Sequence, residues 1–168
     1  MISKKMTEVI NGQINAELYS SYLYLSMSTW FSERSLSGFA SWMRAQAQEE
    51  LYHSTKMLDY LLERGGSAGF EAIDKPQCNW SSPLEVIKET AAHEAKVTGL
   101  INDLVDAALA ERDHATNNFL QWFVAEQVEE EASVGEVVEK MKMIGDDSAG
   151  MFAMDLEMGK RVFTLPAE

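Results

Sequence analysis

The chain has 168 residues, 46% of them hydrophobic and 24% charged, with a formal net charge of −13; that is enough for a sizeable core, and the acidity repels nucleic acid and anionic lipid while attracting cations. Its single cysteine, Cys78, excludes an internal disulfide and CxxC sites for zinc or iron–sulfur clusters, and fits a reducing cytoplasm. No run approaches the ~18 uninterrupted apolar residues of a membrane span, and Met1-Ile2-Ser3-Lys4-Lys5 leads into a polar amphipathic segment with no apolar signal core.

One domain, 1–168, is expected, all-α, with helices over about 5–33, 37–64, 83–110, 113–144 and 147–160. The first carries the stripe Met6, Ile10, Ile14, Glu17, Ser21, Tyr24, in which Glu17 interrupts the apolar run, and Ser35, Ser37 and Gly38 mark its end. The second carries Phe39, Met43, Gln46, Glu50, His53, Met57, Tyr60, apolar at both ends and polar in the middle, and stops at Gly65-Gly66. A loop from Gly65 to Ser82 follows, rich in glycine and serine and holding Pro76.

Ser82, Pro83 and Glu85 form a capping-box start for the third helix, whose stripe is Ile87, Ala91, Glu94, Val97 or Thr98, Ile101, Leu104 or Val105. The fourth reads Leu120, Phe123, Gln127, Glu130, Val134, Val137, Met141, Ile144. Met151, Phe152, Met154, Leu156 and Met158 make the short fifth helix apolar on more than one side, so it needs a partner beyond its own bundle.

Short connections after helices one and three make each pair antiparallel neighbours. A long helix here measures roughly 40 Å at ~1.5 Å per residue. The middle loop, at up to ~3.3 Å per residue, can run that full length, which gives a four-helix bundle with one long crossover.

In such a bundle the helix midpoints share one level, so Glu17, Glu50, His53, Glu94, Gln127 and Glu130 meet in the centre. Burying several carboxylates together costs several kcal/mol for each charge, and like charges raise one another's pKa. No lysine or arginine shares these stripes at that depth. Bound cations are the natural compensation, and carboxylates with one imidazole suit iron or manganese, with zinc competing by affinity. Glu50 and His53, three apart, share a helix face. The bland alternative is a water-filled polar layer, against which stand four mid-helix acids in phase with the Glu-x-x-His pair.

These residues lie in stretches that resemble the bacterial non-haem ferritins: Asn15-Ala16-Glu17-Leu18-Tyr19-Ser20-Ser21-Tyr22, Gln48-Glu49-Glu50-Leu51-Tyr52-His53, Phe119-Leu120-Gln121-Trp122, and Ala125-Glu126-Gln127-Val128-Glu129-Glu130-Glu131. The resemblance runs from Met6 through the fifth helix and implies a ferritin-like fold and an iron-storage function. It implies a ferroxidase centre in which Glu17, Glu50 and His53 hold one iron, with Glu50 bridging, while Glu94 and Glu130 join Glu50 on the second, with Gln127 beside it. Glu49, Glu126 and Glu129 would form a third iron site, and Tyr24 matches the tyrosine next to the centre. Fe(II) would be oxidised by dioxygen or hydrogen peroxide, and the ferric mineral kept in a hollow cytoplasmic shell of twenty-four subunits.

Departures from related patterns sharpen this. Gln127-x-x-Glu130 stands where bacterioferritins carry a second Glu-x-x-His, and Tyr52 stands where they place a haem-ligating methionine, so no haem is expected. Asn117 and Leu120 fall where animal ferritins line a pore with acids. A rubrerythrin-type oxidase would need a CxxC domain that this chain lacks, and a DNA-protecting mini-ferritin would place its iron between subunits. His93 and His114 read as structural or exposed, the methionines as packing, and Trp122 as core or interface packing, with a place beside the centre equally open.

Overall fold

The computed structural model describes residues 1–165; Pro166 to Glu168, the last residues of the expected domain, lie outside them. Five helices follow in chain order: α1 (Lys4–Ser32), α2 (Ser37–Glu63), α3 (Pro83–Ala110), α4 (His114–Ile144) and α5 (Ser148–Met158). No strand occurs among the described residues.

Side chains written into the local sequence set most of the helix ends. Ser3 accepts a hydrogen bond from the Met6 amide at 3.1 Å, Ser82 from Glu85 at 3.2 Å, and Asp113 from Thr116 at 3.1 Å. Glu85 reaches back to the Ser81 amide at 2.5 Å, one residue earlier than a capping box would have it. Asp147 caps α5 through the amides of Ala149 and Gly150. Gly65, after α2, and Gly145, after α4, both take positive φ, which costs glycine little.

The N-terminus of α2 is different. Its N-cap, Leu36, has no side chain able to accept a hydrogen bond. The acceptor comes from α5, where buried Asp155 takes the Phe39 amide at 3.0 Å. The two backbones touch closely there: a Cβ on Gly38 would lie 1.6 Å from the Asp155 carbonyl oxygen, so only glycine fits.

Two apolar clusters fill the interior. One joins the C-terminal half of α1, the start of α2 and α3, the end of α4, and Met154 and Met158 of α5. The other joins the start of α1 and α4 with the end of α2 and α3. Thus α1 and α4 run one way and α2 and α3 the other. The chain from Arg64 to Ser82 therefore travels the length of the bundle. Hydrogen bonds pin it to α1: Asn11 donates to the Ser67 carbonyl at 3.0 Å and accepts from the Gly69 amide at 2.9 Å, and Ser26 donates to the Gln77 carbonyl at 2.7 Å. Trp80 closes the far end, buried edge-on against Trp30.

Candidate metal centre

Between the two apolar clusters lies a polar layer. Glu17, Glu50, His53, Glu94, Gln127 and Glu130 are all buried, none more than 5% exposed. Each projects inward because it occupies a core position of its helix, and the antiparallel arrangement brings the four midpoints level.

Glu17, Glu50 and His53 form the tightest set, each offering a ligand atom within 4.8 Å of the other two. His53 Nδ1 lies 3.3 Å from Glu50 Oε2. Gln13, one turn before Glu17, donates to Glu17 Oε1 at 2.8 Å. Glu17 Oε2, Glu50 Oε2 and His53 Nε2 are buried without a hydrogen-bond partner. Buried polar atoms are nearly always satisfied, so three orphans in one cluster point to a ligand. Two carboxylates and an imidazole suit a divalent transition metal such as iron.

Glu94 and Glu130 hold the opposite side. Tyr24 donates its hydroxyl proton to Glu94 Oε1. Gln127 donates toward the Glu94 carbonyl at 3.3 Å and toward Thr98 at 3.2 Å. Gln46 donates to Glu130 Oε2 at 3.0 Å. Amide and phenol donors thus aim these carboxylates without supplying a full positive charge.

Glu49, His53 and Glu126 form a second set within 4.8 Å, half-buried at the edge of the first and sharing its histidine. Glu129 is exposed and stands outside both sets. Trp122 lies edge-on to His53, ring centres 5.4 Å apart, and so borders the centre. Tyr52 packs against Trp122 and Phe163.

The electrostatics follow from crowding. Burial pushes the Glu17 carboxyl well above its ordinary range, and the Glu50 charge pushes it further. Glu50 is raised in the same way, by burial and then by Glu94. Glu94 and Glu49 each rise to about 7, by burial and then by Glu130. Buried Tyr24, facing Glu94, is also held above its usual value. Such a layer keeps its acids partly protonated until cations replace the protons.

Other candidates fall elsewhere. His114 is exposed. His93 is half-buried, hydrogen-bonded to Ser20 Oγ at 2.8 Å and edge-on to Tyr24, and burial lowers its pKa to about 4, so it packs as a neutral ring. Met154 and Met158 are core residues. Leu120 is fully buried among Ile10, Met57 and Phe123, so it lines no pore; of the two positions matched to the acidic ones of animal ferritins, only Asn117 reaches the surface.

Two residues near the site are not evident from sequence alone. Gln13 carries a weak signal, since it sits one turn before Glu17 on the same face. Arg161 carries none. It lies beyond α5, and its guanidinium folds back to bond Glu49 and to lie 3.9 Å from Glu130 Oε1.

Comparison with known proteins identifies the family and the fold. The family model described as Ferritin-like domain matches residues 7–144. The chain is 49% identical over 161 residues to a bacterial non-heme ferritin of Bacteroides fragilis, covering 96% of this chain and 100% of that one. It is 41% identical to the corresponding protein of Campylobacter jejuni, covering 92% and 93%. Among solved structures, an open-pore ferritin of the archaeon Archaeoglobus fulgidus superposes with a TM-score of 0.96 at 50% identity, covering 96% of this chain and 100% of the other. A closed form of the same ferritin, engineered by site-directed mutagenesis, superposes equally well at 51% identity, covering 98% and 100%.

Proposed function

The chain belongs to the ferritin family and stores iron, and from that premise we propose that each subunit oxidises Fe(II) at a two-iron ferroxidase centre before the ferric product is stored in a hollow shell of twenty-four copies. Glu17, Glu50 and His53 bind the first ferrous ion, with Glu50 bridging. Glu94 and Glu130 join Glu50 on the second, with Gln127 beside it. The supporting observation is the convergence of Glu17, Glu50 and His53, each holding a buried ligand atom that no hydrogen bond uses.

The pairing has a chemical reason. Two ferrous ions supply two electrons. That suffices, with two protons, to reduce one dioxygen to hydrogen peroxide, or one hydrogen peroxide to two waters. The carboxyls of the layer, raised by burial, release protons as the ions bind. Tyr24, donating to Glu94, is placed to follow the charge on the second site. Glu49 and Glu126, at the edge of the centre and beside exposed Glu129, receive a third ion on its way to the mineral. The lone exposed Cys78 suits a reducing cytoplasm, and no helix is long and apolar enough to cross a membrane.

Anaerobic Fe(II) titration followed by mixing with dioxygen, or separately with hydrogen peroxide, tests the centre and identifies the oxidant. His53→Ala removes the only imidazole. It should slow the fast oxidation by at least about 100-fold, since even losing an outer-shell partner costs ~10–100-fold, while leaving the fold intact because the carboxylates left behind can protonate. Oxidation of two irons per subunit at the normal rate in this variant would sink the proposal.

A further inference from the structure

Beyond α5 the chain does not leave the bundle. Arg161 bonds Glu49 through Nη2 and lies 3.9 Å from Glu130. Its guanidinium stacks over Trp42, 5.0 Å from the ring centre. Phe163 sets its ring beside Tyr52, 6.2 Å between centres. Arg161 Nη1 is buried with no acceptor. Among the described residues, no other lysine or arginine forms an ion pair with Glu17, Glu49, Glu50, Glu94, Glu126 or Glu130. The acidic centre is therefore open to metal from within but carries a fixed guanidinium at one edge.

That edge is where Glu49 has two uses. Its carboxylate is a member of the Glu49, His53 and Glu126 set, and it is also the anchor of Arg161. A guanidinium and a metal ion repel, and both draw on the same carboxylate charge. The half-satisfied guanidinium, with one nitrogen bonded and one orphaned, sits in a geometry that favours release.

We propose that Arg161 is a tethered competitor for metal: it holds the outer carboxylates Glu49 and Glu126, whose histidine is already committed to the inner centre, weak towards a further ion, and a cation leaving the inner centre displaces it together with the strap Gly159–Phe163. Ions then pass through the outer set and do not remain there. The proposal rests on the reading of Glu17, Glu50 and His53 as inner ligands.

Zn(II), which undergoes no oxidation, is the probe. Calorimetric titration of the assembled protein should give two tighter ions per subunit and a weaker third in wild type. Arg161→Ala should leave the first unchanged, tighten the second less than the third because Glu130 lies 3.9 Å from the guanidinium, and tighten the third by about tenfold, the ratio expected when a charged hydrogen bond no longer competes. Arg161→Lys, which keeps the charge, should stay near wild type, and Glu126→Gln should abolish the gain. Hydrogen exchange in the unmodified protein needs no variant: the amides of residues 159–161, bonded to the carbonyls of Asp155, Glu157 and Met158, should lose protection as the third ion binds and keep it through the first two. A third-site affinity unchanged or weakened in Arg161→Ala, or protection of 159–161 unaffected by the third ion, overturns the proposal. Failure of wild type to bind the first two ions would instead overturn the reading of the inner centre.

Discussion

The buried acids set the chemistry and its pH dependence. Glu94 titrates near 7 in the fold against roughly 4.3 in an unfolded chain. A carboxyl raised on folding binds its proton more tightly in the native state, so its stabilising contribution is complete below the unfolded value and lost as pH rises through the folded one. Glu49, raised to about 7, acts in the same direction. The metal-free protein should lose thermal stability between about pH 4.5 and 7 through these groups. Zn(II) should restore it most strongly at pH 8, because the ion binds the deprotonated form. Scanning calorimetry with and without Zn(II) at pH 5 and pH 8 checks both signs. Tyr24→Phe extends the test. The Tyr24 hydrogen bond lowers the Glu94 pKa, so losing it should weaken the second ion roughly tenfold near pH 6.5 and have little effect at pH 8. An equal loss at both values would mean that the Tyr24 hydroxyl orients the Glu94 carboxylate and does not act through its protonation.

Among the helices, the junction of α2 and α5 depends on a backbone contact. Asp155 supplies the hydrogen-bond acceptor that Leu36 cannot, and Gly38 lets the helices close to that distance. Asp155→Ala should cost about 1 kcal/mol, as other lost N-caps do. Gly38→Ala should cost more, about 2 kcal/mol, because neither backbone can yield without moving α5. Chemical denaturation measures both. The same displacement would shift the strap that carries Arg161, so Gly38→Ala should also alter protection of residues 159–161. A neutral Gly38→Ala would mean that α5 is free to reposition.

For the assembled protein, the unsatisfied surface is the outer face of α5. Phe152 is 66% exposed and Leu156 59%, while Met154 and Met158 on the other side are buried. A large apolar face open to water on an isolated chain calls for a neighbour, which the proposed shell would supply. Leu156→Asp should therefore break the shell into smaller species while leaving the subunit helical, read by light scattering and circular dichroism. Retention of the full particle would move this face out of the assembly contacts. Asn117→Asp tests the uptake route. Asn117 reaches the surface at the start of α4, and a rise in iron uptake rate with an added charge would place it on that route.

The amino-acid sequence determined the helices, the long crossover and the buried polar layer. Each depends on spacing along one helix or on loop length: Glu17, Glu50, His53, Glu94, Gln127 and Glu130 fall in register with apolar neighbours three and four residues away, and Ser3, Ser82 and Asp113 cap the segments they precede. Periodicity is a local property, so it can be read without a partner. What only the tertiary structure decided is contact across the chain. Leu120 had two readings in the sequence, a member of the α4 core stripe and a pore position, and packing chose the core. Glu129 stayed outside while His53 joined Glu49 and Glu126, since a single residue's step around α4 separates a ligand position from solvent. Asp155 reached α2, and Arg161 reached Glu49, from more than a hundred positions away in sequence. No spacing encodes such pairs; they arise because α5 folds back across the end of the bundle and brings the residues after it against the acidic edge.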